Sequence, residues 1–132
     1  MFLLAVTGCG GGDGPDTGPW VGNWNATGTQ STTCGLTNST NQITGLDVIA
    51  AGTKSGTITT TANGCTLVWD LAGSKATLES GQTCTVSFAG VNVTVTWTQS
   101  SFTMASGVIT GSNTGSTNNG CSFLQQYTLT KL

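Results

Sequence analysis

Few groups in this 132-residue chain can do chemistry: five cysteines, five acids and three basic residues, with no histidine. The basic residues are Lys54, Lys75 and Lys131, so arginine is absent too. The commonest general base, the commonest metal ligand and the usual anion clamp are therefore all missing. Asp13 and Asp16 lie in a Gly- and Pro-rich stretch, which leaves Asp47, Asp70 and Glu79 as candidate acids. Asp70 and Glu79 have outward parity on their segments, with Lys75 between them, and read as charges that keep strand edges soluble. Glycoside hydrolysis needs two carboxylates at a set separation, and nothing in the spacing places Asp47 opposite either of the others. An enzyme would require Asp47 within hydrogen-bonding reach of another acid in a cleft. No nucleophile elbow, P-loop or acidic metal loop is present. No catalytic residue, metal or cofactor is expected.

Cysteine is the richer signal. An odd count asks which one differs, and Cys9 does: it ends the apolar run Met1-Phe2-Leu3-Leu4-Ala5-Val6-Thr7-Gly8 and precedes Gly10-Gly11-Gly12-Asp13-Gly14. The stretch Val6-Thr7-Gly8-Cys9 resembles the bacterial lipobox. The resemblance implies cleavage before Cys9, a diacylglycerol on its sulfur and an acyl chain on its nitrogen, enough chains for stable membrane attachment. Residues 1–8 then read as the remnant of a lipoprotein signal peptide whose true start lies upstream, and 9–19 as a lipidated, Gly-rich tether. Gly10 stands where an Asp would signal inner-membrane retention, which implies a cell-envelope location, in the outer membrane or at the cell surface. The apolar run is too short to be a transmembrane helix. Cys34, Cys65, Cys84 and Cys121 remain, with no Cys-x-x-Cys pair, so two disulfides are expected rather than a zinc site.

These groups must be positioned by β-structure. Charged residues make up 6% of the chain, against about 25% in an average soluble domain. The net charge of −2 leaves no basic surface for nucleic acid. Thr, Ser, Asn and 20 Gly take the place of charge, a mixture that favours strands and tight turns. From Trp20 onward the apolar period is two: Val91, Val93, Val95 and Trp97 alternate with Asn92, Thr94, Thr96 and Thr98. Cys65, Leu67, Trp69 and Leu71 share a face, as do Ala76 with Leu78, Cys84 with Val86 and Phe88, Phe102 with Met104, and Cys121 with Phe123, Tyr127 and Leu129. Ala62-Asn63-Gly64, Ala72-Gly73-Ser74, Ser80-Gly81-Gln82 and Ala89-Gly90 read as turns, and Gly111 to Gly120 as a long polar loop.

About eight to ten strands of four to ten residues are predicted over residues 20–132, forming an all-β antiparallel up-and-down barrel or, alternatively, a β-sandwich. In such a barrel the first and last strands are antiparallel neighbours. Cys34, ending the first, would then meet Cys121, beginning the last, and Cys65 would pair with Cys84 within one meander. Gly22-Asn23-Trp24 resembles the Gly-x-Trp that opens the first strand of lipocalins and avidins, and Tyr127 to Leu132 resembles the last avidin strand. The resemblance implies that Trp24 plugs one barrel end beneath Lys131. Biotin is not expected, because Leu124-Gln125-Gln126-Tyr127 carries no acid. Trp24, Trp69, Trp97 and Tyr127 are the candidate lining of a ligand cavity. The functional expectation is a non-catalytic, membrane-anchored envelope lipoprotein with a structural or interaction role toward an envelope protein. The alternative is lipocalin-like binding of a small apolar ligand.

Overall fold

A computed structural model of the chain describes residues 16–88 and 90–132, so the lipobox-like segment and Cys9 lie outside the described residues. Nine strands run in chain order: β1 Gly22–Cys34, β2 Thr37–Ala51, β3 Thr57–Ala62, β4 Cys65–Ala72, β5 Lys75–Leu78, β6 Thr83–Phe88, β7 Val91–Ala105, β8 Val108–Thr117 and β9 Cys121–Lys131. Every pairing is antiparallel, and the order β5-β4-β3-β2-β1-β9-β8-β7 closes through β5 against β7. The result is the expected all-β barrel, with eight strands in the closed wall and β6 as an additional strand beside β7.

β5 and β6 are two halves of one interrupted strand. Both pair with the same edge of β7, Ala76 opposite Phe102 and Val86 opposite Val93. Between them the Gln82 side chain stands in for a peptide group: its Oε1 accepts from Val68 N and its Nε2 donates to Val68 O, both at 2.8 Å. The wall is consequently closed at one end and open at the other. Thr37–Asp47 of β2 pairs with β1 alone, and β6 pairs with β7 alone. Between these two tall walls stands the short β3–β4 hairpin, whose turn residues Asn63 (φ 53°) and Gly64 (φ 78°) both occupy the left-handed region that a tight two-residue hairpin requires.

The closed end holds the core. Trp20, Trp24, Ile49, Ile58, Phe102, Ile109 and Leu129 are buried there, with Phe102 packed between Trp20 and Trp69 at ring-centroid distances of 5.6 and 4.5 Å. Burying this apolar surface is the main stabilising contribution, since so few charges are available to pair. Trp24 Nε1 donates to Trp20 O at 2.8 Å, and Lys131 Nζ lies 5.4 Å from the Trp24 ring centroid. The stacked geometry implied by the Gly-x-Trp resemblance is thus present, which fits a cation–π contact.

Two expectations are corrected. The strands are not confined to four to ten residues, for β1, β2, β7 and β9 run to 13, 15, 15 and 11. The predicted polar loop from Gly111 to Gly120 is strand β8 as far as Thr117. Its glycines are not turn signals but the space into which aromatic rings from β9 fold. A Cβ on Gly111 would lie 2.6 Å from the Tyr127 ring, and one on Gly115 would lie 2.5 Å from that of Phe123. Gly28 on β1 is tighter still, because its Cβ would meet the backbone of Gln126 and, at 2.7 Å, the Tyr127 Cα. Gly28→Ala is accordingly expected to destabilise the barrel by the upper part of the ~1–3 kcal/mol typical of overpacking. Gly35→Ala, at the exposed β1–β2 tip where a Cβ meets nothing within 4 Å, is the control for general loss of glycine. Its φ of 60° carries a backbone penalty of its own, of about 1 kcal/mol. Urea denaturation of the two variants separates packing from backbone cost.

Candidate functional site

Above the plugged floor the barrel is hollow. A cavity of about 510 Å³ rises from the level of Thr60 and Leu129 to the open end, where Cys34, Asn63, Cys84 and Asn119 stand at its rim. Strand alternation decides what faces it: even residues of β1, odd residues of β2 and β9, and the apolar set of β4, β6 and β7. Trp69, Trp97 and Tyr127 line the cavity, whereas Trp24 lies beneath it in the floor and is only 1% exposed. Trp97 meets Phe123 edge to face at 5.2 Å, and with Val93, Val95 and Val86 they make one wall apolar.

The adjoining strands carry a belt of polar side chains satisfied by one another. Tyr127 Oη donates to Asn113 Oδ1 (3.3 Å), Asn113 Nδ2 to Gln125 Oε1 (3.1 Å), Gln125 Nε2 to Gln30 Oε1 (2.7 Å), and Gln30 Nε2 to Thr32 Oγ1 (3.2 Å). This chain crosses β8, β9 and β1 and ties the seam between the first and last strands. Gln30, Asn113 and Gln125 did not emerge as site residues from the sequence. Their parity with Trp24, Ile109 and Phe123 was the available signal, masked by their polarity.

The cysteines pair as expected, Cys34 with Cys121 and Cys65 with Cys84. Cys34 and Cys121 are direct cross-strand partners at the top of the β1–β9 ladder. Cys65–Cys84 joins β4 to β6 where no backbone pairing connects them.

The acids divide between inside and outside. Asp47 faces the cavity, and burial pushes its carboxyl above the usual carboxylate range. Burial likewise raises the Tyr127 phenol, with the charge of Asp47 as a second cause, so this tyrosine stays neutral at ordinary pH. Asp70 and Glu79 are near one another, but on the outer surface. A hydrogen bond that the Asp70 carboxyl donates to Glu79 raises Asp70, while Lys54, 2.7 Å away, holds Glu79 below its ordinary value. Neither lines the cavity that Asp47 faces.

Among the described residues no cluster of His, Cys, Asp and Glu could hold a metal ion, and no helix is long and apolar enough to cross a membrane. Two buried polar side-chain atoms of the described residues lack partners, Trp97 Nε1 and Ser100 Oγ, which flank the register shift between Trp97 and Gln99 where the β7–β8 ladder slips by one residue. Comparison with protein-family models, with curated proteins and with solved structures finds no match.

Proposed function

We propose that this protein is a non-catalytic binding module that takes a small, largely apolar molecule into its barrel, held at the bacterial cell envelope by a lipid on Cys9. The observation that carries this reading is the cavity of about 510 Å³. Small-molecule sites are concave, mostly apolar and of roughly 300–1,000 Å³, and an eight-stranded barrel that served only as a strut would be filled by its own side chains. The envelope location rests on Val6-Thr7-Gly8-Cys9 and on two disulfides that suit an oxidising compartment. A purely structural role calls instead for a filled interior and a contiguous apolar patch outside. Of the exposed large apolar side chains, Leu36 and Val91 stand at hairpin tips by the mouth, Leu132 at the closed end and Leu124 on β9, and Leu46 and Val48 share the outward face of β2 near Val21.

The test is titration of the disulfide-intact protein with N-phenyl-1-naphthylamine, a neutral apolar fluorophore. Saturable one-to-one enhancement is expected, with affinity reduced at least tenfold by Ala62→Trp, which sets a large ring at the low lip of the mouth. Absence of saturable binding, or binding indifferent to that substitution, overturns the cavity reading.

A further inference from the structure

Tyr127, Asn113, Gln125, Gln30 and Thr32 of the cavity are paired with one another, whereas the Trp97 indole N–H and the Asp47 carboxylate are not. Asp47 makes no hydrogen bond or ion pair among the described residues, although its carboxylate is drawn partly out of water. Nor does the protein supply it a cation. Lys54 is committed to Glu79 at 2.7 Å, Lys131 lies over the Trp24 ring at the closed end, and Lys75 is exposed on β5. The groups lining the cavity that can ionise are Asp47 on β2 and Tyr127 on β9, and the phenol is neutral. The interior thus carries one uncompensated negative charge in apolar surroundings. Such a charge costs folding free energy unless something binds to it.

We infer, building on the ligand-binding reading above, that the cavity selects amphipathic cations: molecules with an apolar body and one ammonium group that pairs with Asp47. The register gives the orientation. Asp47 is the cross-strand partner of Trp24, two residues from buried Ile49, so it stands at floor level on the side of the short β3–β4 hairpin. The ammonium head descends to Asp47, and the apolar body occupies the space between Trp97, Phe123 and the valines of β6 and β7. Anionic amphiphiles of the same length are repelled by the same charge.

Competition against N-phenyl-1-naphthylamine with decylamine, decanol and decanoate separates this inference from the reading it builds on. Decylamine is expected to bind about tenfold tighter than decanol, the gain of one partly solvated charged hydrogen bond, and decanoate more weakly than decanol. Asp47→Asn is expected to bring decylamine down to the decanol value, read as the ratio of the two affinities within the same variant. Equal binding of amine and alcohol by the native protein, or an amine preference that survives Asp47→Asn, overturns the inference. Loss of all binding by the native protein overturns the cavity reading instead.

Stability supplies a readout that a merely structural aspartate would move the other way. A carboxyl whose pKa is raised by folding binds its proton more tightly in the folded than in the unfolded state, so its ionisation opposes folding. The ligand-free Asp47→Asn protein is therefore expected to melt above the native protein at neutral pH. The difference should close as pH falls through the raised pKa of Asp47 toward about 4, the unfolded value. A lower melting temperature for the variant at pH 7 would mean that Asp47 stabilises the fold, which counts against the inference.

Discussion

Trp24→Ala is expected to destabilise the protein by about 3–5 kcal/mol, the range for removing a large aromatic side chain from a packed core. Trp24 is 1% exposed and belongs to the cluster that plugs the closed end. Its loss leaves the Trp20 carbonyl without the indole N–H 2.8 Å away and leaves Lys131 without the ring it covers. The floor can collapse only a little, because Trp20, Phe102 and Trp69 are already locked against one another. For a domain of this size the loss corresponds to a melting temperature lower by roughly 10–20 °C. Trp24→Phe keeps most of the apolar volume and removes the hydrogen bond, so it is expected to cost about 1–2 kcal/mol. Urea denaturation of the three proteins measures both steps. A cost for Trp24→Ala below that expected for Trp24→Phe would mean that the floor is held elsewhere.

The position of Trp24 was legible because one ring on a Gly-x-Trp strand start and one cation on the last strand suffice to suggest the pairing. The barrel was legible for a more general reason. Alternation of apolar and small polar residues survives in almost every strand, and all four cysteines keep the inward parity of their neighbours. What escaped has two physical causes. First, β8 is written in Gly, Ser, Thr and Asn, the vocabulary of turns; here those residues are small because Phe123 and Tyr127 need the room. Second, a hollow barrel breaks the rule that inward means apolar. Gln30, Asn113 and Gln125 point inward because they satisfy one another, and Asp47 shares the parity of Ile43 and Ile49 without a hydrogen-bond partner among the described residues. Chemistry confined to a cavity is hidden from periodicity because it interrupts the pattern by which cores are recognised.

Removing the Cys34–Cys121 bridge, as Cys34→Ala with Cys121→Ala, is expected to have the second large effect. The cysteines are separated by 87 residues, so in the chain-entropy account the bridge restricts the unfolded state by roughly 4.5 kcal/mol. Cys65 and Cys84 are separated by 19 residues, and the same account gives roughly 3 kcal/mol. Stability alone therefore ranks the seam bridge first, and urea denaturation of the two double variants tests that order. Ligand capture should reverse it. Below Cys34–Cys121 the β1–β9 ladder continues through to Lys131 opposite Trp24, and the Gln125–Gln30 hydrogen bond crosses the same seam, so the wall persists without the sulfur. Between β4 and β6, by contrast, no strand pairing stands behind Cys65–Cys84, and the nearby ties among the described residues are those of the Gln82 side chain and the Glu79 N–H to the Val68 peptide group. Cutting that bridge lets β6 and its Val86 move away from the cavity, whereas cutting the seam bridge leaves the lining in place. The Cys65/Cys84 double variant should thus lose more affinity for N-phenyl-1-naphthylamine than the Cys34/Cys121 double variant, although it loses less stability. Parallel losses in both measurements would show that the β4–β6 gap does not shape the cavity.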